Sequence, residues 1–111
     1  MAEKQISLEE FKKIVMRIGT VVEAEEIPKS RTLIKMKVDF GNGEIKQAVA
    51  GLKGYYFPDE LIGKQFVFVT NLKPAKLMGE ISEVMILAAV GEGEVVLIKP
   101  ERSTKNGLRV E

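Results

Sequence analysis

Residues 33–50 read Leu33-Ile34-Lys35-Met36-Lys37-Val38-Asp39-Phe40-Gly41-Asn42-Gly43-Glu44-Ile45-Lys46-Gln47-Ala48-Val49-Ala50. Two strands and a tight turn are written into this segment. Ile34, Met36, Val38 and Phe40 recur at every second position and share one face, while Lys35, Lys37 and Asp39 share the other. Gly41-Asn42-Gly43 supplies residues that tolerate the positive φ of a hairpin turn. Ile45 to Ala50 then runs back as the partner strand.

The flanking sequence is mostly strand-like too. Ile18 to Glu26 predicts a strand before the hairpin, closed by Ile27-Pro28. Gly51 to Gly63 is an irregular connection that contains Pro58-Asp59-Glu60-Leu61, one helical turn with proline at its start. Gln65 to Leu72 is apolar on both faces and predicts a central strand. Lys73 to Glu80 predicts a loop held open by Pro74 and Gly79, and Ile81 to Val90 a fifth strand. Gly91-Glu92-Gly93 turns the chain into Val95 to Ile98 before a polar tail. At the other end, Ser7 and Glu10 match a capping box. Leu8, Phe11 and Val15 recur at helical spacing, so a short helix is expected there, ended by Gly19 and the β-branched run after it.

Composition excludes several chemistries. The 111 residues are 45% hydrophobic, 30% charged and 6% aromatic, with a net charge of +1 and neither cysteine nor histidine. A single domain of this size buries roughly two-thirds of its unfolded surface. Disulfides, thiol nucleophiles, Cys/His zinc sites and histidine-based triads are ruled out. The longest apolar run, which contains Met85 to Val90 and starts at Val84, is far short of the about 20 residues that cross a bilayer. Met1-Ala2-Glu3-Lys4-Gln5 has no apolar core behind a basic start, so no signal peptide is expected. The expected location is the cytoplasm.

Charge is near zero in total but segregated along the chain. Glu23, Glu25 and Glu26 are followed by an acid-free stretch, 27–38, that carries Lys29, Arg31, Lys35 and Lys37. A second acid-free window, Leu61 to Gly79, holds Lys64, Lys73 and Lys76. Either these are ordinary solvated faces, or the two windows converge into one basic patch. Five short strands with a helical turn between the third and fourth predict an all-β fold, a five-stranded Greek-key barrel of the oligonucleotide/oligosaccharide-binding (OB) type. A short N-terminal helix and a C-terminal extension flank it. Such a barrel binds ligands on strands two and three and on the loops after strands one and four, where the basic windows lie. With no repeat or linker, 1–111 reads as one domain, its barrel at about 17–90. The terminal segments 1–16 and 91–111 are left to cover strand edges or form an interface.

An enzyme reading has little to stand on. Glu23 and Glu25 share a strand face expected to be solvated, with no partner to split their pKa values. Asp39 and Glu44 beside the turn are a weak metal signal. No glycine spacing matches a phosphate-binding loop, and Gly51-Leu52-Lys53-Gly54 reads as a plain connection. Tyr55, Tyr56 and Phe57 offer either a stacking platform or a hydrophobic plug under the long connection.

One segment is more specific: Asn71-Leu72-Lys73-Pro74-Ala75-Lys76-Leu77-Met78-Gly79-Glu80-Ile81-Ser82-Glu83-Val84-Met85. It resembles the structure-specific tRNA-binding domain found as a free-standing dimeric protein, at the C-terminus of many methionyl-tRNA synthetases, and in the cytokine precursor EMAP II. The family pattern is Asn-Leu-x-Pro-x-Lys-x-x-Gly followed by Ser-x-Gly-Met. Arg17-Ile18-Gly19, Ala24-Glu25-Glu26-x-Pro28-x-Ser30, Val38-Asp39-x-Gly41 and Tyr56-x-Pro58-x-x-Leu61-x-Gly63-Lys64 match as well. The resemblance covers about residues 11 to 90. Val84 departs from it, standing where the synthetase-linked modules have glycine; there the chain is closer to the export-associated, chaperone-like CsaA branch.

The resemblance implies a non-catalytic tRNA-binding homodimer without cofactor, metal site or membrane contact, its terminal segments forming the dimer interface. It would act in trans with a methionyl-tRNA synthetase. The alternative is a CsaA-like chaperone for unfolded or precursor polypeptides. A module that reads tRNA by shape needs cations for phosphates and neutral polar groups for ribose. Lys29, Arg31, Lys73 and Lys76 suit the first role, and Ser30, Asn71 and Ser82 the second. Lys35, with Lys37, would extend the patch. Met85 either contacts ligand through its flexible thioether or belongs to the core. Arg17 caps the helix or pairs with a glutamate, outside the main site.

Overall fold

The computed structural model describes residues 3–111; Met1 and Ala2, the start of the N-terminal segment 1–16, lie outside the described residues. The chain opens with α1 (Leu8–Lys12), where Ser7 Oγ accepts the Glu10 N–H at 3.1 Å and Glu10 Oε1 accepts the Ser7 N–H at 3.2 Å. The box forms as the sequence requires, but the helix is one turn shorter than its spacing suggested. Strand β1 (Met16–Glu26) begins three residues before Gly19, and Val15 lies between the two elements. Gly19 is therefore not a helix stop.

The central hairpin is β2 (Ile34–Asp39) and β3 (Ile45–Ala50), paired from Ile34↔Ala50 to Asp39↔Ile45. The one-turn helix α2 (Pro58–Leu61) precedes β4 (Gln65–Val69). Beyond β4 the structure departs from expectation. The segment expected to be a loop is a second hairpin, β5 (Ala75–Leu77) and β6 (Glu80–Ser82), turned at Met78-Gly79 with φ of 50° and 82°. Two successive positive φ values make a turn whose twist suits an antiparallel pair. The expected fifth strand is divided into the end of that hairpin, β7 (Met85–Ile86) and β8 (Ala88–Gly91). Strand β9 (Glu94–Leu97) pairs with β8, and β10 (Arg109–Val110) with the start of β1.

The main sheet has the order β3-β2-β1-β4-β7 and curls until Val84, just before β7, bridges to Ala48 of β3. This is the expected OB-like barrel. Its core takes the inward row of β2 (Ile34, Met36 and Val38, fully buried) together with Val21, Phe40, Leu61, Phe66, Phe68, Val84 and Ile86. Phe40 and Phe68 meet edge to face, with ring centroids 5.5 Å apart. Of the three aromatics in the long connection only Tyr56 plugs the barrel, its hydroxyl accepting the Leu97 N–H at 3.1 Å. Tyr55 and Phe57 are exposed.

Two contacts bind the hairpin turn to the rest. Arg17 donates to both carboxylate oxygens of Glu44, at 2.8 and 2.7 Å, with its guanidinium 4.9 Å above the Phe40 ring. The Arg17 hydrogen bond is the main reason that the Glu44 carboxyl lies below its ordinary range; desolvation opposes it. The glutamate pairing expected of Arg17 is thus the one formed, and Glu44 is committed to it. Asp39 is committed too, its carboxylate accepting the Gly41 N–H at 2.7 Å.

At the other terminus, Gly107 donates to the Ile18 carbonyl at 2.7 Å and Ile18 donates to the Leu108 carbonyl at 3.0 Å. Part of the C-terminal extension therefore covers the edge of β1 that β2 does not reach.

Gly19 is required by close approach. A Cβ built there would lie 2.6 Å from Val38 Cγ1 and 2.8 Å from Phe40 Cε1. Both neighbours belong to the buried row, so neither has room to retreat. Gly19→Ala should cost about 1–3 kcal/mol, as overpacking does. Urea unfolding measures it, and an unchanged midpoint would show that Val38 and Phe40 repack freely.

Candidate nucleic-acid interface

The outward side chains of β2 and β3 form the floor of the site. Antiparallel register places Lys35 opposite Glu25 and Val49, and Lys37 opposite Glu23 and Gln47. The acidic cluster thus lies beside the lysines that it precedes in sequence. Lys35 Nζ is 3.0 Å from Glu25 and 3.4 Å from Glu80 of β6. Its pKa is raised, first by the hydrogen bond to Glu25, with the charge of Glu80 adding to it. Glu25, expected to be without a partner, has one.

The loop between β1 and β2 closes one end of this floor. Ser30 is buried, and its hydroxyl accepts the N–H groups of Thr32 at 3.1 Å and Leu33 at 3.0 Å. Lys53 Nζ donates to the Ser30 carbonyl at 2.9 Å. This short side chain holds the loop in shape, and Lys29 and Arg31 on either side of it are exposed.

The β5–β6 hairpin flanks the floor along β3, held there by polar hooks. Gln47 Nε2 donates to the Ile81 carbonyl at 2.8 Å, the Gln47 N–H to Glu83 Oε1 at 3.0 Å, and the Glu83 N–H to the Gln47 carbonyl at 2.7 Å. Ser82 Oγ accepts the Val49 N–H at 3.0 Å and donates to the Val84 carbonyl at 2.9 Å. Lys73 and Lys76 are exposed on this arm. Asn71, at its root, ties α1 to the barrel by accepting the Val15 N–H at 2.9 Å and donating to the Lys13 carbonyl at 2.6 Å. Met85 is 48% exposed and lines an apolar groove with Val49, Leu72, Leu77 and Val84.

The nine residues singled out from the sequence therefore separate into groups. Lys29, Arg31, Lys73 and Lys76 stand exposed and, among the described residues, outside every ion pair. Ser30, Asn71 and Ser82 spend their side chains on backbone groups and build the loops that carry those cations. Lys35 is held between two carboxylates, and Met85 faces outward. Val84 faces the core. Gln47, Glu80 and Glu83 were not anticipated. Glu80 stands one position beyond the acid-free window, and only folding brings it to Lys35. Gln47 had one sequence signal, its place on the outward face of β3.

A family model described as "Putative tRNA binding domain" matches residues 16–109. The chain belongs to that family. It is 50% identical over 108 residues to the methionine–tRNA ligase of Methanocaldococcus jannaschii, across 96% of this chain and 16% of that enzyme. With the ligase of Helicobacter pylori strain 26695 it shares 45% identity over 100 residues, across 90% of this chain and 15% of the enzyme. The chain thus spans about a sixth of the length of these curated relatives. The crystal structure of a MetRS-related protein from Pyrococcus horikoshii matches with a TM-score of 0.92 and 40% identity, covering 98% of this chain and all of that one. The chaperone CsaA from Bacillus anthracis matches with a TM-score of 0.88 and 38% identity, covering 97% and 100%. Among the described residues of this tRNA-binding-family chain, no helix is long and apolar enough to cross a membrane.

Gln47→Ala should loosen the arm without unfolding the barrel. The substitution removes the Gln47 side-chain bonds to the Ile81 carbonyl and Glu80. A hydrogen bond contributes about 0.5–1.5 kcal/mol, so amide exchange across residues 75–82 should accelerate roughly two- to tenfold. Exchange in β2 and β4 should stay at the parent rate. Uniform acceleration would mean that Gln47 supports the core rather than the arm.

Proposed function

We propose that this protein is a non-catalytic, cytoplasmic tRNA-binding module that recognises folded RNA by shape and works in trans with a methionyl-tRNA synthetase. The observation that carries the reading is the placement of unpaired cations. Lys29 and Arg31 stand on the loop at one end of the sheet face and Lys73 and Lys76 on the arm along its β3 side, while Lys35 on the face is already held by Glu25 and Glu80. Phosphate contacts then come from the rims, and the face between them accommodates a rounded backbone rather than a stacked base. Phe40, Phe66 and Phe68 point inward and give the sheet face no stacking platform; the exposed Tyr55 and Phe57 stand on the connection between β3 and β4.

Lys73→Ala combined with Lys76→Ala should weaken tRNA binding and reduce the log–log salt slope by roughly 1.4–1.8, with unfolding unchanged. Parental affinity and slope in the double variant would remove the arm from the site. A second reading follows from the apolar groove beside Met85, which suits an aliphatic side chain of an extended polypeptide in the manner of a chaperone. Filter binding of folded tRNA, unstructured RNA of equal length and an unfolded polypeptide separates the two. Preference for the polypeptide selects the chaperone, and equal binding of both RNAs rejects shape recognition.

We also propose a homodimer built on the terminal segments. Ile6, Leu8, Ile14 and Leu108 leave large apolar side chains exposed beside α1 and β10, and Val96 and Ile98 do so near β9. Two-fold association is the commonest way to bury such surface. Light scattering at micromolar concentration should give twice the 12.3 kDa protomer mass. A single-protomer mass would reject the interface.

A further inference from the structure

A second group of unpaired cations lies away from the β2–β3 face. The C-terminal strap leaves β9, and its first residue, Ile98, accepts the Val67 N–H at 3.0 Å and donates to the Leu87 carbonyl at 3.1 Å. Six residues on, it returns to β4. Gln65 Nε2 donates to the Thr104 carbonyl at 2.7 Å, and the Thr104 N–H donates to Gln65 Oε1 at 3.0 Å. Asn106 Oδ1 then accepts from Thr20 Oγ1 and Gln65 Nε2, each at 2.8 Å. Lys99-Pro100-Glu101-Arg102-Ser103 is therefore an arch pinned at both feet to the same strand.

A cleft of about 410 Å³ lies under the arch, lined by Gly63, Lys64, Gln65 and the five arch residues. It has three cations and one carboxylate, and among the described residues none of the four is in an ion pair. Lys64 is fixed from below, because its carbonyl accepts the Val21 N–H at 3.0 Å and its own N–H donates to Leu61 at 3.2 Å. Pro100 restricts the arch further by fixing one φ. Three like charges around a concavity repel one another, and the single carboxylate of Glu101 offsets them only in part. An anion would offset the remainder.

We propose that this cleft is a second site for the RNA phosphate backbone, with Lys64, Lys99 and Arg102 as its contacts. The inference rests on the tRNA reading above and extends it. Arg102 brings a planar fork that matches two phosphate oxygens, and the lysines bring point charges. The arch stands at the N-terminal end of β4 and the arm bearing Lys73 and Lys76 follows its C-terminal end, about 15 Å of strand apart. A small phosphate compound cannot reach both. A folded RNA, with phosphates repeated along its length, can.

Three proteins test it, the parent, Lys99→Ala with Arg102→Ala, and Lys73→Ala with Lys76→Ala, each titrated with folded tRNA over a range of salt. Inorganic tripolyphosphate and polyglutamate serve as competitors, and thermal unfolding confirms that each variant folds. The arch variant should lose roughly 1.4–1.8 from the log–log salt slope, independently of the arm variant, because each lost phosphate contact removes about 0.7–0.9. A parental slope in the arch variant, with a reduced one in the arm variant, overturns the second site and leaves the tRNA reading standing. Failure of the parent to bind tRNA overturns both. Competition by tripolyphosphate at phosphate concentrations equal to those of tRNA would assign the cleft to a small anion, and competition by polyglutamate to an acidic protein. Either result overturns the RNA assignment.

Discussion

The barrel depends on one strand serving two half-sheets. The first half of β1 pairs with β4 and its second half with β2, and the register slips between Val21 and Glu23 where one partner gives way to the other. At that point the Val21 N–H finds the Lys64 carbonyl and the Val21 carbonyl accepts the Gly63 N–H at 2.7 Å. Without those bonds a buried strand would carry unpaired backbone groups where it bends. The position of α2, the entry into β4 and the seat of Lys64 all follow from it. The missing side chain at Gly19 serves the same bend, because it lets Val38 and Phe40 pack directly over β1.

The arrangement of charge follows from this frame. On the outward face Lys35 is held by Glu25 across the strands and by Glu80 of the arm. Among the described residues, the cations outside every ion pair include those on the β1–β2 loop, the β5–β6 arm and the strap, where backbone hydrogen bonds help to set their positions. An anion bound at such places has no internal ion pair to break. The arm has every residue of β5 exposed and is attached to β3 by polar contacts. It therefore opens at a lower free energy than the core strands.

Local signals were legible wherever they alone controlled the outcome. The capping box, the alternation of β2, the Gly41-Asn42-Gly43 turn and the α2 boundaries formed at the residues that the sequence marks. The readings that missed were those in which tertiary contact overrode a local signal. Gly19 looked like a helix stop but is a packing requirement from Val38 and Phe40, residues about 20 positions away. Residues 73–80 looked like a loop because Pro74 and Gly79 punctuate them, yet Gln47 and Ser82 hold a hairpin there.

The same boundary divides the site. Which residues are cationic, and that the fold is a β-barrel offering a sheet face and two loops, follows from residue type and a period of two. Which cations stay free follows from the fold alone. Lys35 and Glu80 are 45 positions apart, and charge along a chain carries no information about pairs that only closure of the barrel brings together. Ser30, Asn71 and Ser82 are hydrogen-bonding residues in any reading. Ser30 bonds backbone N–H groups two and three residues on, a local turn, whereas the bonds of Asn71 to Val15 and Lys13 and of Ser82 to Val49 join segments that only the tertiary structure brings together.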